Sequence, residues 1–140
     1  MNRIVLDTNV ISETMRERPD AVALRWFAAQ AVEDLYLTSI TLAELWYGVE
    51  RLGELHPKHR GLTAKLEVLE QQFENRVLDF DTAAARRWGQ MKGSHGRTGR
   101  VYPDIDLQIA AIVGCHDASL ATNNVRDFDG LGLRLINPFR

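Results

Sequence analysis

The chain of 140 residues has one cysteine, four prolines, few aromatics and no repeat or low-complexity tract. A lone Cys115 excludes an internal disulfide framework and a cysteine-built zinc centre, and its Ile112-Val113-Gly114 context predicts a small core residue. Long apolar runs are also missing. The longest, around Ile109 to Cys115, falls far short of the roughly 20 residues needed to span a bilayer. Arg3 and Asp7 place charge where a secretory leader is apolar, so a cytoplasmic protein without a membrane partner is expected. Finally there is no large charge of one sign. A formal net charge of −2 excludes an all-over polyanion binder, and any nucleic-acid partner must be held locally.

One stretch supplies such a place. From Thr82 to Pro103 the chain has no Asp or Glu, while Arg86, Arg87, Lys92, Arg97 and Arg100 fall there together with His95. A solvated helix face followed by a mobile loop accounts for the same residues. At 45% hydrophobic and 26% charged, the composition is that of a globular protein. The length suits one domain over residues 1–140, able to bury roughly 68% of the surface its unfolded form exposes.

Apolar patterning then gives the order of elements. Ile4-Val5-Leu6 is an uninterrupted β-prone run of the kind found in a parallel strand covered on both faces, and it ends at Asp7-Thr8-Asn9. A short helix is predicted over Ser12 to Arg18, halted by Pro19, and Asp20 caps another over Ala21 to Ala31. Leu35 to Ser39 reads as a strand leading into a helix over Thr41 to Leu52. A further helix after Pro57 carries Leu62, Leu66, Leu69 and Phe73 at helical spacing. Arg76 to Phe80 is a third strand, followed by a helix capped by Asp81 that ends at Gly93. The three glycines between Gly93 and Arg100 predict a flexible loop. Pro103-Asp104-Ile105-Asp106 opens a helix to about His116, Ser119 to Thr122 is a strand, Asn123 to Gly130 a turn, and Leu133 to Ile136 the last strand. Strands alternating with helices predict a three-layer α/β/α sandwich around a mainly parallel sheet of about five strands.

Four acids fall at element ends that a parallel sheet can bring to one edge: Asp7, Glu44, Asp106 and Asp127. Each also has a local role open to it. Asp7 can cap the following helix, Thr41-x-x-Glu44 matches a capping box, Asp106 favours the positive end of its helix, and Asp127 can close a turn on its own backbone. Convergence would change the energetics. Two carboxylates about 5 Å apart repel by roughly 3 kcal/mol at an effective dielectric near 20, so about six such pairs reach the order of 20 kcal/mol. That exceeds the typical domain stability of about 5–15 kcal/mol, so a converged cluster must protonate in part or hold cations. Oxygen donors alone suit Mg²⁺ or Mn²⁺, and a polar rim of Thr8, Asn9, Thr122 and Asn124 would help direct water at a phosphodiester.

The same residues carry a resemblance. Asp7-Thr8-Asn9-Val10-Ile11-Ser12-Glu13, Thr41-Leu42-Ala43-Glu44-Leu45-x-Tyr47-Gly48, Pro103-x-x-Asp106-x-x-Ile109-Ala110-Ala111 and Thr122-x-Asn124-x-x-Asp127-Phe128 stand in order at family spacing. Together with Ile136-Asn137-Pro138 they resemble the PIN-domain ribonucleases, and among them the VapC-like toxins of type II toxin–antitoxin pairs in the FitB-like branch. The resemblance implies an acidic metal site of Asp7, Glu44, Asp106 and Asp127, with Asp7 and Asp106 as direct Mg²⁺ ligands and Thr8, Asn9, Thr122 and Asn124 supporting them. It assigns the catalytic acid to Asp106 and leaves Asp104 to cap the helix. It further implies an RNA substrate, an antitoxin that occludes the site, and a homodimer or larger toxin–antitoxin assembly. Arg86, Arg87, Arg97 and Arg100 would then hold RNA phosphates beside the acids. The Leu62/Leu66/Leu69/Phe73 helix, with the Trp46/Tyr47 helix, becomes the candidate antitoxin groove or dimer seam. Asn123 departs from the pattern, since many relatives carry a basic residue there.

Other classes fit less well. A haloacid-dehalogenase-like phosphatase needs a second Asp two residues after its nucleophile, where Asn9 stands. A receiver domain should show a lysine after its last strand, and Ile136 to Arg140 has none. A catalytically silent PIN-fold RNA-binding or interaction module remains the alternative from a different class, separated from an enzyme by metal-dependent RNA cleavage.

Overall fold

A computed structural model describes residues 2–140. Its elements run β1 (Ile4–Leu6), α1 (Thr8–Thr14), α2 (Ala21–Ala28), β2 (Leu35–Thr38), α3 (Ser39–Leu52), α4 (His59–Gln72), β3 (Val77–Leu78), α5 (Thr82–Arg97), α6 (Asp104–Cys115), β4 (Ser119–Ala121) and β5 (Arg134–Ile136). The five strands form one sheet in the order β3-β2-β1-β4-β5, and every pairing is parallel. The predicted sandwich is therefore present, with a wholly parallel sheet.

The period of two along each strand separates the layers. Ile4, Leu6, Leu35, Leu37 and Ala121 point to one face, where they meet Val10 and Ile11 of α1, Leu45 and Val49 of α3, Leu66 and Leu69 of α4, and Phe73 just after it. Val5 and Leu120 point to the other face and pack on Ile109, Ala110 and Val113 of α6 with Phe128. Leu37 and Leu120 are fully buried, and each such leucine contributes about 1.5–3 kcal/mol. This double-sided burial explains why the central strands read as continuous apolar runs.

Several boundaries differ from the sequence reading for identifiable reasons. The first helix begins at Thr8, not Ser12, because the Asp7 carboxylate accepts the Thr8 amide and starts the helix directly at the end of β1. It stops at Thr14, and α2 stops at Ala28, three residues earlier than predicted. Helix α3 is capped by Thr38, whose hydroxyl accepts the Thr41 amide, so Thr41-x-x-Glu44 is not a capping box. The third strand shrinks to Val77–Leu78. The predicted loop from Gly93 is helical through Arg97: Met91 and the other inward residues of α5 pack beside α6, and that packing overrides the low helix propensity of Gly93 and Gly96. Only Gly99, with φ +80°, requires glycine there. Cys115 is exposed at the end of α6, not part of the core.

The chain winds outward through β2 and β3 on one side of β1 and returns to β4 and β5 on the other. Between the carboxyl ends of β1 and β4 lies the crevice where ligands collect in such sheets. Asp7 and Thr122 are the residues immediately beyond those two ends.

Candidate active site

Asp7 is 5% exposed and held from three directions. Its Oδ1 accepts the Thr8 amide at 2.9 Å, and its Oδ2 accepts from Thr122 Oγ1 at 2.8 Å and Asn9 Nδ2 at 3.0 Å. Asn9 ties in the far side, because its Oδ1 accepts the Asn123 amide at 3.0 Å, while Thr122 Oγ1 accepts the Asn124 amide at 3.0 Å. Asn124 thus joins through its backbone, with the residue itself exposed. On the other flank, the Thr8 hydroxyl donates to the Glu44 carboxylate from the start of α1. Behind it runs a chain of hydroxyls, Thr8 to Thr41 at 3.3 Å and Thr41 to Thr38 at 3.2 Å.

Thr38 and Thr41 were missed as site residues. Both are fully buried, and a threonine hydroxyl inside a core needs a polar partner. The available signal was the spacing Thr38, Thr41, Glu44, which places all three on adjoining turns of one helix face.

Asp106 lies in the first turn of α6, and Asp127 in the short 3-10 turn Val125–Phe128 after β4. The charges of Asp7, Asp127 and Glu44 all bear on Asp106. Burial first and then those three carboxylates push its pKa up to about 6. Asp7 is also raised, mainly by burial and slightly by Asp127, against the lowering effect of its hydrogen bonds from Thr122, Thr8 and Asn9. The four acids picked from sequence are therefore within reach of one another's fields. Among the described residues none of the four forms an ion pair with a Lys, Arg or His side chain, and the donors that meet Asp7 and Glu44 are neutral threonine, asparagine and backbone groups.

The donor chemistry fits a hard divalent ion, since carboxylates and hydroxyls supply oxygen alone. Among the described residues no group of three or more His, Cys, Asp or Glu side chains closes to metal-ligand spacing. Asp104 does not cap α6. Pro103 holds that position, and Asp104 pairs with Lys92 at 2.6 Å.

The predicted phosphate-binding arginines do not form one patch. Arg87 lies against Gly114, where an added β-carbon would collide with its guanidinium. Gly114 is more than two turns along α6 from Asp106, about 12 Å, so Arg87 is not beside the acids. Arg86 and Arg97 are exposed on α5. Arg100 sits close to the Asp127 turn, donating Nη2 to the Asp129 carbonyl at 2.9 Å.

A groove of about 460 Å³ opens between α1, α3 and α4, and of the four acids Glu44 alone lines it. Thr8 and Glu44 stand at its lip, and Leu45, Val49, Leu62 and Leu66 line its wall. Of the predicted leucine stripe, Leu69 and Phe73 are core residues and only Leu62 and Leu66 reach this groove.

Residues 4–132 match the PIN domain family, whose α/β/α layering around a parallel sheet this chain shares. The chain belongs to that family. It is 37% identical to a VapC ribonuclease, Y4jK, of Sinorhizobium fredii, over 97% of each chain. It is 34% identical to the toxin FitB of Neisseria gonorrhoeae, over 97% of this chain and 98% of that one. Among solved structures it resembles FitAB bound to an IR36 DNA fragment, with a TM-score of 0.89, 32% identity, and coverage of 98% of this chain and 96% of that chain.

Proposed function

We propose that this chain is a divalent-metal-dependent endoribonuclease and the toxin of a toxin–antitoxin pair. The observation that carries the reading is the placement of Asp7, buried at the carboxyl end of β1 and fixed by Thr8, Asn9 and Thr122, close enough to Asp106 that its charge, with those of Asp127 and Glu44, raises the Asp106 carboxyl. Carboxylates buried among like charges at a sheet switch point mark a functional site better than a structural one, because folding alone gains nothing from them. The relatives' names supply the activity class, VapC ribonuclease and toxin.

Asp7, Glu44, Asp106 and Asp127 would hold Mg²⁺, or Mn²⁺, with Asp7 and Asp106 the direct ligands. When bound, such an ion supplies Lewis-acid stabilisation of charge on the phosphate oxygens and a water made acidic enough to attack near neutral pH. The chain's own residues do the rest. Thr122 and Asn9 fix one oxygen of Asp7, and the Thr8 amide fixes the other, so that carboxylate is oriented before any ligand arrives. Thr8 does the same for Glu44. Asp106 stands at the positive end of α6, which favours its ionised form once a cation offsets its neighbours.

The groove between α1, α3 and α4 takes in Thr8 and Glu44, so an antitoxin segment laid along its apolar wall would cover that flank of the site. A homodimer is the assembly proposed for the toxin. Cleavage of end-labelled RNA with Mg²⁺, with Mn²⁺ and with chelator tests cofactor, reaction and substrate class together. Internal cuts that require the ion are expected. RNA left intact under all three conditions by a folded protein rejects the enzyme and favours the silent module.

A further inference from the structure

The connection between α5 and α6 is held more firmly than its glycines suggest, and it encloses a small basic cavity. Tyr102, 9% exposed, donates its hydroxyl to the Asp129 carbonyl at 2.6 Å. Arg100 donates to the same carbonyl, and its guanidinium lies over the Tyr102 ring at 5.0 Å. Gly130 follows with φ +80°, where a β-carbon would stand 3.1 Å from the Tyr102 hydroxyl, so glycine is what lets the turn approach this closely. His95 meets the ring edge-on with centroids 5.3 Å apart. Between these groups is a cavity of about 120 Å³ lined by Lys92, His95, Arg100 and Tyr102, with Val101 and the buried Leu107 as its apolar wall.

We propose that this cavity is a subsite for one backbone phosphate of an RNA strand lying across the acids, an inference that rests on the reading under Proposed function. Three of its lining side chains are basic, and neither Asp104 nor Asp129 lines it. Arg100 is oriented by the Asp129 carbonyl and the Tyr102 ring, and the Asp129 carboxylate 3.9 Å away is so exposed that it competes weakly, so little freedom is lost when the remaining N–H groups meet an anion. Lys92 pairs with Asp104, but the two side chains are 50% and 61% exposed, and a pair so open to water is weak enough to exchange for a phosphate. Among the described residues, neither ring nitrogen of His95 takes a hydrogen bond. A base is the poorer occupant, because Arg100 and His95 already cover the Tyr102 ring that would have to stack on it. The need is clear from the neighbouring site: a strand drawn toward four carboxylates requires a fixed cation on a flanking phosphate.

The test uses the full chain in chelator, so that no cleavage occurs, with inorganic phosphate and a short single-stranded RNA as probes. Both are expected to shift the His95 ring resonances, and Lys92→Gln should weaken the phosphate effect roughly fivefold. The double variant Lys92→Gln, His95→Gln should bind the RNA roughly tenfold more weakly, with its salt slope reduced by about 1 and its backbone spectrum otherwise preserved. His95 unmoved by the RNA overturns the subsite, whether or not free phosphate moves it. So does a folded double variant that binds RNA as the wild type does. A wild-type protein that binds RNA through these residues but leaves it uncut with Mg²⁺ rejects the nuclease reading and leaves the subsite standing.

Discussion

The two edges of the sheet treat charge in opposite ways. At the amino-terminal edge, Arg134 places Nη1 3.2 Å from the Asp117 carboxylate and Nη2 2.7 Å from its carbonyl. At the carboxyl edge, Asp7, Glu44, Asp106 and Asp127 act on one another, and the groups that touch Asp7 and Glu44 are neutral. Both edges are rich in ionisable residues, so a count of charges does not separate them. Compensation does: paired charge at a surface is explained by folding, and unpaired charge in a crevice asks for a ligand.

The largest expected effect comes from removing a charge at the carboxyl edge. Asp106→Asn should lower RNA cleavage by about 100-fold or more, because it deletes a direct ligand while keeping the shape of the side chain. Its melting temperature without metal should equal or exceed that of wild type, since a repulsion is relieved. An Asp106→Asn protein that cleaves like wild type, or melts well below it, makes the two edges alike. Next in size is metal itself. Mg²⁺ near 100 times its dissociation constant should stabilise the folded chain by about 2.7 kcal/mol, a rise of several degrees in Tm, and should do markedly less for Asp106→Asn. Equal shifts in both proteins would place the ion elsewhere.

Acid should partly replace the ion. Asp106 titrates near 6 in the folded chain against an ordinary aspartate value of 3.8, so between those values the folded form binds a proton that the unfolded form does not. Stability of the metal-free protein therefore rises as pH falls from about 7 toward 5, and the gain ends where the unfolded carboxyl also protonates. Asp106 is partly exposed, which reduces the effect to about 1 kcal/mol. Asp7, raised in the same direction, adds to it. Melting curves across this range should show the rise without metal and lose most of it in Asp106→Asn. A metal-free protein more stable at pH 7 than at pH 5 contradicts the assigned burial and repulsion.

The carboxyl edge was largely legible in sequence because its strands announce themselves. Ile4-Val5-Leu6 is apolar on both faces, and its end at Asp7 fixes a site position before any fold is known. Glu44, Asp106 and Asp127 stand out in sequence by their places at element ends, while the effect of Asp7, Glu44 and Asp127 on Asp106 depends on the strand order. What stayed hidden depends on contacts between distant elements. Thr38 and Thr41 look like ordinary helix-start residues until α1 brings Thr8 against them. Gly93 and Gly96 read as loop until α5 is laid on α6, and Arg87 reads as a phosphate ligand until its guanidinium is found over Gly114. Cys115 was misplaced because composition near a helix end does not reveal which face the last turn presents.

The smallest effect belongs to the amino-terminal edge, and it is the control for all the others. Arg134 and Asp117 have side chains 62% and 93% exposed, and pairs this open to solvent contribute about 0–1 kcal/mol. The Arg134 contact to the Asp117 carbonyl has a further task, since Asp117 turns the chain out of α6 with φ 48°, a conformation that side chains rarely adopt. Arg134→Gln should accordingly lower stability by no more than about 1 kcal/mol and leave Mg²⁺-dependent cleavage unchanged. Denaturant titration and the RNA assay, run on the same preparation, read both quantities. Cleavage that falls with Arg134→Gln would mean that the paired edge also serves the reaction, and compensation would no longer separate structural charge from functional charge in this fold.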